Sequence, residues 1–304
     1  MSSQTTNERR EKRRFIIGSI MTPILLVIGA LFGTYIIAPW QDQNVENARR
    51  QRYENEPPLR VRIREILPEP VTYVFDQPLS MESKRALQTE RLWEGILAKA
   101  TPFDSQCIED SIDPSLKKSV CQKHEGRTHH EVTLIGRRQE AVRIVDIRAQ
   151  LIDTHTPPTA AIVFGPTGGG GDIREGGIPL GSSDLRLRDP DTSQHYFDEK
   201  FVYVSENEPE VFFVDTSSST YDFLWEIVID LMVEGEKENM VVRADGSTQV
   251  NGKIFGPDGT LLRTDGKLTG TPFRNPGPIQ PVSAYKSAFS CEVGEACKPT
   301  LKED

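Results

Sequence analysis

Hydrophobic and polar positions along this chain fall into three regimes. The first is a continuous run. From Phe15 to Trp40 the sequence FIIGSIMTPILLVIGALFGTYIIAPW is dominated by apolar residues and carries no charge. A bilayer core about 30 Å thick takes roughly 20 apolar helical residues to cross, so this run predicts one transmembrane helix. Its glycines and Pro23 are tolerated in such helices, and Tyr35 and Trp40 fall where aromatic rings favour the interface.

The second regime has a period of two. LRVRIREI puts Leu59, Val61 and Ile63 on one face and Arg60, Arg62 and Arg64 on the other, which predicts a half-buried strand. PVTYVF, EVTLIGRR, EAVRIVDIRAQLID, TAAIVF, FVYV and EVFFV are further strands. In EAVRIVDIRAQLID the apolar positions Val142 and Ile144 slip to Ile147, Ala149 and Leu151, which predicts a bulge. The most regular alternation runs from Tyr221 to Glu234: Tyr221, Phe223, Trp225, Ile227, Ile229, Leu231 and Val233 face one way. EGEKE then turns the chain into NMVVRADG, a hairpin. Asp245-Gly246, Asn251-Gly252, Asp258-Gly259 and Asp265-Gly266 are two-residue turn signals.

The third regime is helical or irregular. Residues 80–100 break the alternation. Ser80 or Ser83 caps a helix there, and Trp93, Ile96, Leu97 and Ala100 share one face. Residues 101–130 read as loop. Residues 165–193 form a long insertion rich in Gly and Asp, and a loop like its glycine-rich part, 165–181, is either mobile or a binding feature. The divisions that follow are a basic tail (1–14), a transmembrane signal-anchor (15–40), a polar spacer (41–58) ending in Pro57-Pro58, a β-rich domain with loop insertions (59–271), and a Pro-rich tail (272–304) holding a cysteine pair. The fold class is mainly β, an immunoglobulin-like sandwich, with an open barrel as the alternative.

Charge adds orientation. Arg9, Arg10, Lys12, Arg13 and Arg14 lie just before the apolar run, and the far flank has no basic residue until Arg49. The positive-inside rule places residues 1–14 in the cytoplasm and the C-terminal domain outside the cell membrane. The run is too long for a usual signal-peptide core, and IIAPWQDQ is a poor cleavage site. The chain carries −9, with +3 in residues 1–14, so the remainder carries −12. An acidic exterior argues against nucleic acid as a partner. The lipid bilayer is the partner through Phe15–Trp40.

Cysteine placement agrees with that orientation. Cys107, Cys121, Cys291 and Cys297 all follow the apolar run. An even count on an oxidising side predicts two disulfides. Three pairings are possible; Cys107–Cys121 with Cys291–Cys297 needs the least loop closure.

Motifs for chemistry fail on their details. GPTGGGG is followed by Asp172 and Ile173, where a phosphate loop needs Lys and Ser or Thr. His130-Glu131 opens a metalloprotease pattern whose fifth position is Leu134. Cys107, Cys121, His124, His129 and His130 have zinc-ligand chemistry, but the cysteine spacing is too long for a compact knuckle. Asp189, Asp191 and Ser193 begin like a calcium loop that lacks its sixth-position Gly and ends in Lys200. No cofactor is expected.

YDFLWEIVIDLMVEGEKENMVVRADG, followed by GTPFRNPG, resembles a pattern in uncharacterised actinobacterial single-pass membrane proteins with a β-rich extracellular domain. Trp225, Gly246, Pro272, Phe273 and Arg274 carry the likeness, which covers about a sixth of the chain. The insertion between Gly246 and Pro272 is longer here. The resemblance implies architecture and no particular activity. The functional expectation is an anchored protein-interaction module that binds an envelope or membrane protein. The alternatives are an envelope hydrolase with an unrecognised carboxylate site and a structural assembly factor in a membrane complex.

Overall fold

The computed structural model describes residues 47–48, 53–66, 72–89, 100–107, 124–164, 176–278, 285–290 and 298–299. Phe15–Trp40, Cys121, Cys291 and Cys297 lie outside them. Among the described residues no helix is long and apolar enough to cross a membrane. Glu56–Asp304 forms one compact unit and is mainly β.

Two sheets pack as a sandwich. The first holds β1 (Leu59–Ile66), β2 (Thr72–Phe75), β3 (Thr101–Cys107), β4 (His124–Gly136), β6 (Ala161–Phe164), β7 (Gly176–Pro179), β9 (Pro209–Ser218), β16 (Ala288–Ser290) and β17 (Lys298–Pro299). The second holds β5 (Val142–His155), β8 (Val202–Val204), β10 (Asp222–Val233), β11 (Glu236–Val242), β12 (Thr248–Val250), β13 (Lys253–Phe255), β14 (Leu261–Arg263) and β15 (Phe273–Asn275). Among the described residues of that unit the helices are α1 (Met81–Thr89) and the single turn α2 (Tyr196–Glu199).

Each sheet is built on one long strand that shares an edge between two shorter ones. β4 pairs with β3 through its first residues and with β1 through its last, while β9 runs along its other edge. β10 pairs with β15 through Phe223–Trp225 and with β11 through Ile227–Val233, while β5 runs along its other edge. Alternation decides what these strands bury. Val132 and Leu134 of β4 meet Trp225, Ile227, Ile229 and Leu231 of β10 in one core. A fully buried Trp or Leu contributes roughly 2–3 kcal/mol through its apolar area. A smaller cluster of Phe75, Leu87, Ala161 and Val163 binds α1 to β2 and β6.

The bulge expected in β5 is present: the register shifts between Ile144 and Asp146, so that Ile144, Ile147 and Ala149 all reach the core. Leu151 does not, being 36% exposed. Ser80 caps α1, its Oγ accepting from Ser83 N at 3.0 Å. Of the four turn pairs, only Asn251-Gly252 closes a two-residue hairpin, β12 to β13, with φ of 49° and 78°. The other two-residue hairpin, β10 to β11, uses Glu234-Gly235 instead.

The loop expected over 101–130 is instead strand at both ends. TPFDSQC lacks alternation, yet it pairs with β2 on one side and β4 on the other, and this sheet context supplies the order its pattern does not. Beyond residue 271, Phe273–Asn275 and Ala288–Ser290 pair with β10 and β6.

Each end of β4 makes a close backbone approach. A Cβ on Gly126 would lie 1.9 Å from the Gly277 carbonyl oxygen, and one on Gly136 would lie 2.0 Å from that of Ser205. Both contacts are with backbone, so only glycine fits.

Candidate functional site

The eight-residue element GTPFRNPG holds β15 and the turn that follows it. Proline is tolerated just before a short edge strand, and the alternation of β15 then sends three consecutive side chains to three tasks. Phe273 turns inward and stacks on Trp225, ring centroids 4.5 Å apart. Asn275 is fully buried and crosses to the other sheet, its Nδ2 donating to the carbonyl oxygens of Gly126 at 3.2 Å and Thr216 at 3.1 Å. The Thr128 and Thr216 hydroxyls pair beside it at 2.6 Å.

Arg274 faces outward between two carboxylates. Its Nε donates to both oxygens of Asp222 at 3.1 Å. Its terminal nitrogens donate to Asp76 at 2.6 and 2.7 Å. Asp222 is almost wholly buried, while Asp76 is more than half exposed. The hydrogen bonds from Arg274 hold the Asp76 carboxyl below its usual range. Both partners also raise the affinity of Arg274 for its proton, despite burial. With His155, Thr156, Pro158 and Leu224 this clamp borders a solvent-open cleft of about 380 Å³.

A second open cleft, about 200 Å³, lies on the outer face of the first sheet. Arg127, Asp215 and Ser217 form its floor, and the turn from Arg188 to Ser193 forms its wall. Its charged groups are paired sideways. Arg127 holds Glu125 at 3.0 Å, Arg188 holds Asp184 at 2.9 Å, and His129 Nδ1 meets Asp215 at 2.7 Å. The wall belongs to a dense ionic turn, DLRLRDPDTSQHYFDEK. There Arg186 joins Asp146 of β5 at 2.7 Å and His195 Nδ1 at 2.7 Å, while His195 Nε2 donates to Asp184 at 2.5 Å. Burial raises the Asp146 carboxyl even against Arg186, and the His195 hydrogen bond lowers Asp184.

The described residues of the metal motifs are placed apart or already paired. His129 and His130 are consecutive on β4 and point to opposite faces, one to Asp215 and one into the core. His130 sits against Phe273 at 4.9 Å, and burial pushes it down to about 3. Asp189 is already used by Lys200 at 2.9 Å and by the amides of Asp191 and Thr192. Among the described residues no group of three or more His, Cys, Asp or Glu is placed to hold a metal. Cys107 ends β3 opposite His124; its three counterparts lie outside the described residues, as does 165–175 of the Gly-rich loop. Gly176–Pro179 of that loop forms β7, an edge strand parallel to β9.

Sequence reasoning missed the Arg274 clamp, because Asp76, Asp222 and Arg274 are 52 to 198 residues apart. The one available signal was Arg274 itself, a lone basic residue between Phe273 and Asn275. No family model and no curated protein matches this chain.

Proposed function

We propose that the chain is a single-pass anchor, crossing the membrane through Phe15–Trp40, that presents an immunoglobulin-like β-sandwich outside the cell and binds another envelope or membrane protein through it. The N-terminus is cytoplasmic, and two local disulfides, Cys107–Cys121 and Cys291–Cys297, staple the outer domain. One observation carries the choice of binding over hydrolysis. The two carboxylates that share a cleft, Asp76 and Asp222, are both held by Arg274. A carboxyl that moves a proton to or from a substrate must be free to reach it, and here both are engaged by one guanidinium. The clamp serves tertiary structure, tying β15 and β10 to the turn after β2.

The test is crosslinking and affinity capture of the full chain from its own membranes. A specific, saturable partner is expected. Recovery of none, together with hydrolase activity that Asp76→Asn or Asp222→Asn abolishes, would overturn the reading in favour of an enzyme. A reporter active only outside the membrane, fused to the C-terminus, is expected to be active. Nonreducing mass spectrometry is expected to show no free thiols.

A further inference from the structure

The second sheet ends at β8, which pairs with β5 alone among the described residues. Beyond its end Ser205 and Glu206 pack on Gly136, but no described segment pairs with the other edge of Val202–Val204, and such an edge is the feature by which extended peptides add to a sheet. Val202 and Val204 turn into the core, so Phe201 and Tyr203 project from the outer face, 66% and 56% exposed. Arg143, opposite Tyr203, places its guanidinium 4.9 Å from the Phe201 ring centre. The same row continues across the sheet through Met232 to Lys237.

Charge separates this corner from the rest of the face. Arg148, Arg186 and Arg243 all meet carboxylates, those of Asp230, Asp146 and Glu226. Arg143 and Lys237 meet none among the described residues. Two aromatic rings, an arginine and an open strand edge have the composition of binding hot spots. In a chain of net charge −9, cations left without partners are complementary to an incoming anion, not to the chain's own surface.

We propose that the open edge of β8 and the adjoining Phe201, Tyr203 and Arg143 receive an extended acidic segment of a partner protein. Its backbone adds to β8, its carboxylates meet Arg143 and Lys237, and its apolar side chains lie on the rings. A second copy of the chain is disfavoured as the occupant, since edge-to-edge pairing would bring two cationic corners to one seam. This site deepens the protein-binding reading and rests on it.

The experiment uses the full chain in nanodiscs and two fluorescent octapeptides, one alternating Val and Glu, the other Val and Lys. Anisotropy is expected to show saturable binding of the acidic peptide alone, weakened by salt. Arg143→Glu and Phe201→Ser are each expected to weaken it about tenfold or more, with unchanged thermal melts because both side chains lie on the outer face. Equal binding of both peptides, no binding of the acidic one, or unaltered binding by the variants overturns the proposal. So does a dimer, seen by light scattering, that Phe201→Ser dissolves. Crosslinking in membranes separates the two readings. A partner retained equally by wild type and Arg143→Glu defeats this site alone, whereas no partner for wild type defeats the protein-binding function itself.

Discussion

Arg274 and Arg143 stand on the same sheet and do opposite things. Arg274 lies between Asp76 and Asp222, with five hydrogen bonds between them. Arg143 has an aromatic ring beside it and no carboxylate among the described residues. A guanidinium surrounded by carboxylates has its charge and donors consumed within the fold. One stacked on an exposed ring keeps its donors for a partner. The difference lies in their neighbours, so the two arginines mark the structural and the available parts of one surface.

The largest effect is expected at the clamp. Asp222→Ala leaves a partly buried guanidinium with the exposed Asp76 alone, and losing the buried charge-assisted hydrogen bonds is expected to cost about 1.5–3 kcal/mol. Urea denaturation is expected to show that loss, and Asp76→Ala a much smaller one because Asp76 is exposed. A loss under 1 kcal/mol for Asp222→Ala would make the clamp as dispensable as Arg143.

Next comes the close approach that holds β15 and its turn against β4. Gly126→Ala forces a methyl into the Gly277 carbonyl and is expected to cost roughly 1–3 kcal/mol. A thermal melt unchanged from wild type would show that the sheets separate there at no cost.

His130 supplies a pH signature of the same packed end. Its folded value, about 3, lies below its unfolded value near 6.5. Its neutral form is what folds, so the full contribution is present above about pH 6.5. Stability falls as acid protonates the unfolded chain, by on the order of 1.4 kcal/mol per pH unit, until about pH 3. His130→Phe is expected to flatten the slope between pH 6 and 4. Parallel stability curves for the two proteins would exclude His130 as its source.

Arg143→Gln is expected to change stability least, within about 0.5 kcal/mol, measured by the same urea titration. A loss comparable to that of Asp222→Ala would turn Arg143 into a second structural arginine and erase the contrast.

Much of the fold was legible because β-strands write their burial into every second residue. Phe223, Trp225, Ile227, Ile229, Leu231 and Val233 lie on the core face as alternation requires, whereas Tyr221, expected with them, precedes the strand and is 49% exposed; the slipped phase of Val142, Ile144 and Ile147 announced a real bulge. Ser80 was legible as a cap because capping is local. β3 was not, since TPFDSQC owes its strand to neighbours rather than to its own pattern. The Asp-Gly pairs marked turns but not their kind: Asp245, Asp258 and Asp265 keep negative φ, and only the glycine takes the left-handed conformation.

What the sequence determined by itself was whatever depends on local spacing: the alternating strands, the capped helix, the places of turns, and the expectation of one apolar crossing at Phe15–Trp40. What tertiary structure decided was which charges are spent. Nothing near Arg274 in sequence shows that it will meet Asp76 and Asp222, and nothing near Arg143 shows that its guanidinium will meet the Phe201 ring and, among the described residues, no carboxylate. Ion pairing depends on distances of a few ångströms between residues far apart in the chain, and only the folded sandwich sets those distances.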